Sequence, residues 1–138
     1  MEPALREGDL IRIGIDYYAF FPLQRNDIVI IDFNVDNSLR VKRLVGLPGD
    51  NVQITPAGDI AVNGVVALTH PVGQPFTSDS FPLFKYPSPA TSRVVPLHKV
   101  FVISDNAEAG FDSLDYGFVD EGFVIGKVVG TNPPAVSN

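Results

Sequence analysis

Two histidines, no cysteine and no phosphate-cradling loop leave this 138-residue chain few ways to do chemistry. Neither His70 nor His98 has a Ser or a paired carboxylate at a motif spacing, which argues against a Ser-His-Asp triad. No His, Asp and Glu cluster shows metal-ligand spacing. Gly46-Leu47-Pro48-Gly49 lacks the following Lys-Ser/Thr of a phosphate loop. What remains is Lys42, inside Arg40-Val41-Lys42-Arg43-Leu44-Val45-Gly46-Leu47-Pro48-Gly49-Asp50. Alternation along a strand puts Lys42 on one face with Arg40 and Leu44, and Val41, Arg43 and Val45 on the other. From periodicity alone this is either a solvated basic stripe or a strand that presents Lys42 for chemistry.

The elements around Lys42 read as short strands. No window longer than a turn or two has helical apolar spacing, whereas β-branched runs bounded by Gly, Pro, Asn and Asp recur. Strands are expected at Leu10 to Ile15, Asp27 to Phe33, Leu39 to Leu47, Val52 to Ile54, Lys99 to Ile103 and Phe123 to Val129. Pro48-Gly49 fits the middle of a type II turn. Asn63-Gly64 within Ile60 to Leu68 is the strongest hairpin signal, since both residues accept positive φ. Thr69 to Pro96 holds half of the 12 prolines along with Phe76, Phe81, Phe84 and Tyr86. It is expected to be an ordered excursion rather than sheet, its aromatics packed back on the body of the domain. The alternative is an apolar rim that touches a membrane surface or substrate.

Length and composition fit a single, mainly β domain over residues 1–138. Gly and Pro make up 24 of 138 residues, which points to many turns. A net charge of −6 argues against a general nucleic-acid binder. With 45% apolar and 19% charged residues, the chain is not a disordered tail. Its apolar runs are too short for a membrane span or a signal peptide.

Several blocks together resemble one family. The chain opens Met1-Glu2-Pro3-Ala4-Leu5-Arg6-Glu7-Gly8-Asp9, and the Lys42 strand ends in Leu-Pro-Gly-Asp. Then come Ser104-Asp105-Asn106, Asp112-Ser113, Gly117-Phe118-Val119 and Ile125-Gly126-Lys127. This order and spacing is similar to the type I signal peptidases, membrane-anchored serine endopeptidases that use a Ser/Lys dyad. The resemblance implies an antiparallel β fold shared with LexA-like domains, no cofactor and no metal. It makes Lys42 the general base, with Asp105, Asn106, Asp112 and Ser113 in support. It assigns Met1, Leu5, Ile11 and Val41 to small apolar pockets for an extended substrate of Ala-x-Ala type. The partners it implies are leader peptides of exported proteins and a membrane surface. The location it implies is the outer face of a bacterial cytoplasmic membrane.

The chemistry gives such a Lys a demanding role. An amine near pKa 10.4 is protonated at neutral pH and cannot take a proton from a hydroxyl. Burial can lower that pKa by roughly 3–5, equivalent to about 4–7 kcal/mol. Arg40 and Arg43 would add to the effect by repulsion if close.

The sequence departs from the family pattern at three places. The family's attacking Ser falls one position ahead of Met1, and the membrane helix falls further upstream. On this expectation the chain by itself cleaves nothing. Gly110 stands where the family often has a Ser beside the Lys, and Leu114 stands where an Arg pairs with Asp112. Ser104 and Ser113 lie in the same block as support rather than as nucleophiles. Two rival readings stand beside the protease: a LexA-like self-cleaving domain, and an inactive homologue that binds peptide or protein.

Overall fold

The computed structural model describes residues 10–33, 38–104 and 111–132. The chain order is β1 (Leu10–Gly14), α1 (Tyr17–Phe20), β2 (Ile28–Ile31), β3 (Arg40–Gly46), β4 (Asn51–Ile54), β5 (Ile60–Val62) and β6 (Val65–Leu68). There follow α2 (Pro82–Lys85), β7 (Ser92–Val94), β8 (Lys99–Ile103), α3 (Ser113–Tyr116), β9 (Val119–Asp120), a 3₁₀ turn at Glu121–Phe123, and β10 (Val124–Asn132). One sheet has the order β1-β10-β2-β3-β8-β9 and the other β6-β5-β4-β7. Every ladder is antiparallel.

The predicted strands form close to their expected bounds because each carries apolar side chains that a core absorbs. Strands β3 and β8 lie between two cores, so both of their faces are covered. Leu44, Val100 and Val102 join Val29, Ile31 and Val119 on one side. Val45, Phe101 and Ile103 join Val52, Ile60, Phe84 and Leu114 on the other. Burial on both faces is why β8 reads as a nearly continuous apolar run after Lys99.

The turns follow their residue types. Asn63 and Gly64 have φ of 51° and 84°, which suits the tight β5–β6 hairpin. At Pro48-Gly49 the Asp50 amide donates to the Leu47 carbonyl at 2.9 Å, closing the expected turn.

The proline-rich stretch is not wholly outside the sheets. Ser92–Val94 forms edge strand β7 against β4, which corrects the expectation of an excursion without ladder. An edge position tolerates the flanking prolines because only one side must pair. The remainder packs inward. Phe84 is fully buried, and Phe76 and Phe81 rest on the same core. Tyr86 alone among the four aromatics is strongly exposed. Gly58 clamps this segment, since its carbonyl accepts from the Phe76 amide at 2.9 Å. Its φ is +89°, and an added Cβ would lie 2.8 Å from the Pro75 Cα. Gly58→Ala is therefore expected to lower stability by roughly 2–5 kcal/mol, combining left-handed strain with overpacking. Urea unfolding measures this directly, and a loss below about 0.5 kcal/mol would contradict the clamp.

Candidate active site

Lys42 lies mid-strand in β3, opposite Val29 of β2. Its side chain falls on the Leu44 face, and the residue is only 6% exposed. The solvated basic stripe is thus excluded for Lys42. The β3–β8 ladder pairs Arg43 with Ile103 and Leu44 with Val102. Continued by one residue, that register sets Lys42 opposite Ser104, just past the end of β8. Directly opposed side chains on one face of an antiparallel pair sit close enough to touch. Lys42 Nζ lies 2.7 Å from Ser104 Oγ, and both groups are buried.

Helix α3 holds the end of β8 in place. Asp112 is its N-cap, in a capping box in which Asp115 accepts from the Asp112 amide. The Asp112 carboxylate accepts from the amides of Ser104 at 3.1 Å and Leu114 at 3.0 Å. Ser113 is fully buried, and its Oγ accepts from the Val102 amide at 3.0 Å. Leu114, at the position where the resemblance expects Arg, is buried in the second core. Backbone amides therefore serve Asp112 where a guanidinium was expected.

The electrostatics of the cluster favour neutral forms. Burial pushes the Lys42 ammonium below the usual lysine range, Arg40 adds repulsion, and Asp112 and Asp115 pull the other way. Of the two arginines expected to repel it, Arg40 is the one among these causes. Burial raises the Asp112 carboxyl, opposed by its two amide donors. Tyr116, beside them, is pushed up to about 12, mainly by burial.

Lys42 also forms part of the wall of a pocket of about 740 Å³. Phe33, Phe111, Tyr116, Phe118 and Phe123 give it an aromatic lining, and Arg40, Lys99 and Asp120 add charge. A buried amine on an apolar cleft can act as a proton acceptor, since the surroundings disfavour its charged form.

Met1, Leu5, Asp105 and Asn106 lie outside the described residues, as does Gly110. Val41 points away from the Lys42 face and is half-buried. Ile11 sits on β1, with β10 and β2 between it and β3, so the described structure does not bring Ile11 and Val41 together. The aromatic walls of the pocket were not anticipated. Tyr116, Phe118 and Phe123 fall within eight residues, a density of aromatics that could have signalled them.

The structure also pairs both histidines with carboxylates that sequence spacing did not reveal. His70 Nδ1 lies 2.5 Å from Asp59 and His98 Nδ1 lies 3.1 Å from Glu121. A second lysine, Lys127, is held by Asp27 at 3.3 Å and lies over the Tyr17 ring. Asp27 also accepts from the Tyr18 hydroxyl, tying α1 to the sheet. Among the described residues, no three metal-ligating side chains converge.

Comparison with known proteins agrees with the fold. A family model described as "Signal peptidase, peptidase S26" matches residues 1–131. Signal peptidase IB of Staphylococcus aureus (strain Mu50 / ATCC 700699) is 31% identical over 137 residues, covering 93% of this chain and 70% of that protein. Signal peptidase I of Bacillus caldolyticus is 30% identical over 137 residues, with 93% and 71% covered. A crystal structure of a signal peptidase I from Enterococcus faecalis V583 superposes with a TM-score of 0.56. It covers 78% of this chain and 97% of its own at 24% identity, a likeness of fold.

Proposed function

The chain belongs to the signal peptidase, peptidase S26, family, and on that premise we propose that it is the catalytic domain of a serine endopeptidase in which Lys42 is the general base. Its substrates are leader peptides of exported proteins, bound extended with small side chains of Ala-x-Ala type before the cut. The observation that carries this reading is the burial of Lys42 on a cleft, with its amine fixed by one hydroxyl and its charged form disfavoured. A lysine serving only as a solvated charge has no use for such a place.

The neutral amine takes the proton of a Ser hydroxyl placed immediately ahead of Met1, and that oxygen forms a bond to the scissile carbonyl carbon. The resulting ammonium then delivers the proton to the departing amine as the peptide bond breaks. Water, deprotonated by the same amine, bonds to the acyl carbon, and the ammonium returns that proton to the Ser oxygen as the ester bond breaks. Backbone N–H at the attacking Ser is the natural oxyanion donor. In this proposal Asp112 and Ser113, with Asp105 and Asn106, support the lysine's surroundings, while Met1, Leu5, Ile11 and Val41 contact substrate.

The same reading puts the domain on the outer face of a bacterial cytoplasmic membrane, tethered by a helix upstream. Among the described residues no helix is long and apolar enough to cross a membrane. Leu114, which departs from the family pattern, and the amide-served Asp112 that it leaves without an Arg are compatible with an intact site.

The test is cleavage of an Ala-x-Ala peptide by the chain extended with a Ser ahead of Met1. Turnover should rise with pH along a limb centred below the ordinary lysine pKa, because the deprotonated amine is the active form. An extended chain that folds and binds peptide but never cleaves it would favour the inactive, peptide-binding reading.

A further inference from the structure

We infer that Ser104 is the positioning residue for the Lys42 amine, an assignment that rests on the proposed role of Lys42 as base. Ser104 Oγ and Lys42 Nζ are 2.7 Å apart although the two residues are separated by 62 positions in sequence. The contact is built into the fold, because the β3–β8 register sets the two side chains opposite each other. The backbone on either side of the strand end is fixed as well. The Val102 amide donates to Ser113 and the Ser104 amide donates to Asp112, both at the start of α3. Ser104 cannot drift without dislodging that helix.

Lys42 lines the aromatic pocket, and its contact with Ser104 is buried. A neutral amine has two N–H groups and one lone pair. Giving one N–H to Ser104 Oγ leaves the lone pair free to accept from an attacking hydroxyl. Once the amine is protonated, the same oxygen accepts from the ammonium, and a hydrogen bond from a charged donor is the stronger. Ser104 thus both orients the base and steadies its charged form. The resemblance looks for such a hydroxyl at residue 110, which is Gly, and aligns Ser104 with a family Gly. Here the hydroxyl comes from the strand end instead.

The charged groups facing Lys42 are Arg40 on its own strand and Asp112 and Asp115 on α3. Lys99, Asp120 and Tyr116 share the pocket wall. Substituting Ser104 alters none of them, so a change in titration reports on the hydroxyl. The experiment compares Ser104→Ala and Ser104→Thr with the native chain. Lysine side-chain NMR gives the midpoint of Lys42 titration, and the Ser-extended chain gives peptide cleavage.

In Ser104→Ala the midpoint should move to lower pH by about one unit, since the ammonium loses a partner. The kcat should fall about tenfold to hundredfold with KM nearly unchanged, and the acid limb should move with the midpoint. Ser104→Thr should restore both. Should the Ala variant not fold, Ser104→Gly gives the same readout. An unmoved midpoint in a folded variant, or a Thr variant as impaired as Ala, would overturn the assignment. If the extended native chain cleaves nothing while the midpoint still moves, the protease reading falls and the hold of Ser104 on the amine stands.

Discussion

Replacing Lys42 by Ala in the Ser-extended chain is expected to reduce kcat by about 10²–10⁴-fold, the usual contribution of a positioned proton acceptor. On the proposed role, in which only the transition state uses the amine, the loss should appear in kcat and kcat/KM together. Lys42→Met separates chemistry from folding, because it keeps the length of the side chain and removes the charge. It should abolish cleavage equally while leaving the protein as stable or more so. The sign follows from linkage. A lysine whose native pKa lies below its unfolded value weakens the fold fully at every pH below the native pKa. The penalty fades as pH rises from there towards about 10.4, where the unfolded chain also loses its proton. The native protein should therefore gain stability over that interval, and Lys42→Met should lose that contribution to the slope. Equal activity of native and Lys42→Ala chains would remove Lys42 from the mechanism.

The second large effect belongs to stability. Phe84→Ala should cost about 3–5 kcal/mol, the range for emptying a buried aromatic site. Phe84 has no exposed surface, and its neighbours in the core come from several elements of both sheets. That core reaches Leu114 on α3, which in turn positions Asp112 and the end of β8. A domain of this size has only about 5–15 kcal/mol of stability in all, so the variant should sit near its unfolding threshold at 37 °C. Urea midpoints at unchanged slope measure the loss. A cost below about 1 kcal/mol would mean that the proline-rich stretch is a detachable appendage.

How far the sequence anticipates this structure depends on the range of the interactions. The Leu39 to Leu47 strand, the Pro48-Gly49 turn and the Asn63-Gly64 hairpin are specified by neighbours within a few residues, and all three form as read. The three α-helices among the described residues are single turns of four residues, too short to show a helical period. Capping and packing hold them, as at Asp112, and those are tertiary facts. Strand β7 escaped notice because prolines surround it, and only its edge position makes them tolerable.

The site divides in the same way. Lys42 stands out by type and by its family-like surroundings. Its burial follows from alternation with Leu44 once both faces of β3 are known to be covered. Ser104 as its partner depends on a strand register across 62 residues, which no local pattern encodes. The exchange of an expected Arg for Leu114 is visible in the sequence, but its consequence is not. Only the structure shows amides taking the place of the cation at Asp112.

The most direct measurement is a titration of the Lys42 side chain in the native protein, followed by NMR of selectively labelled lysines and assigned with Lys42→Met. A lysine wrapped by β2, β8 and α3 should release its proton clearly below the ordinary lysine range. A midpoint for Lys42 at the ordinary lysine value of about 10.4 would show an amine at ease with its charge and so unable to serve as a base at neutral pH.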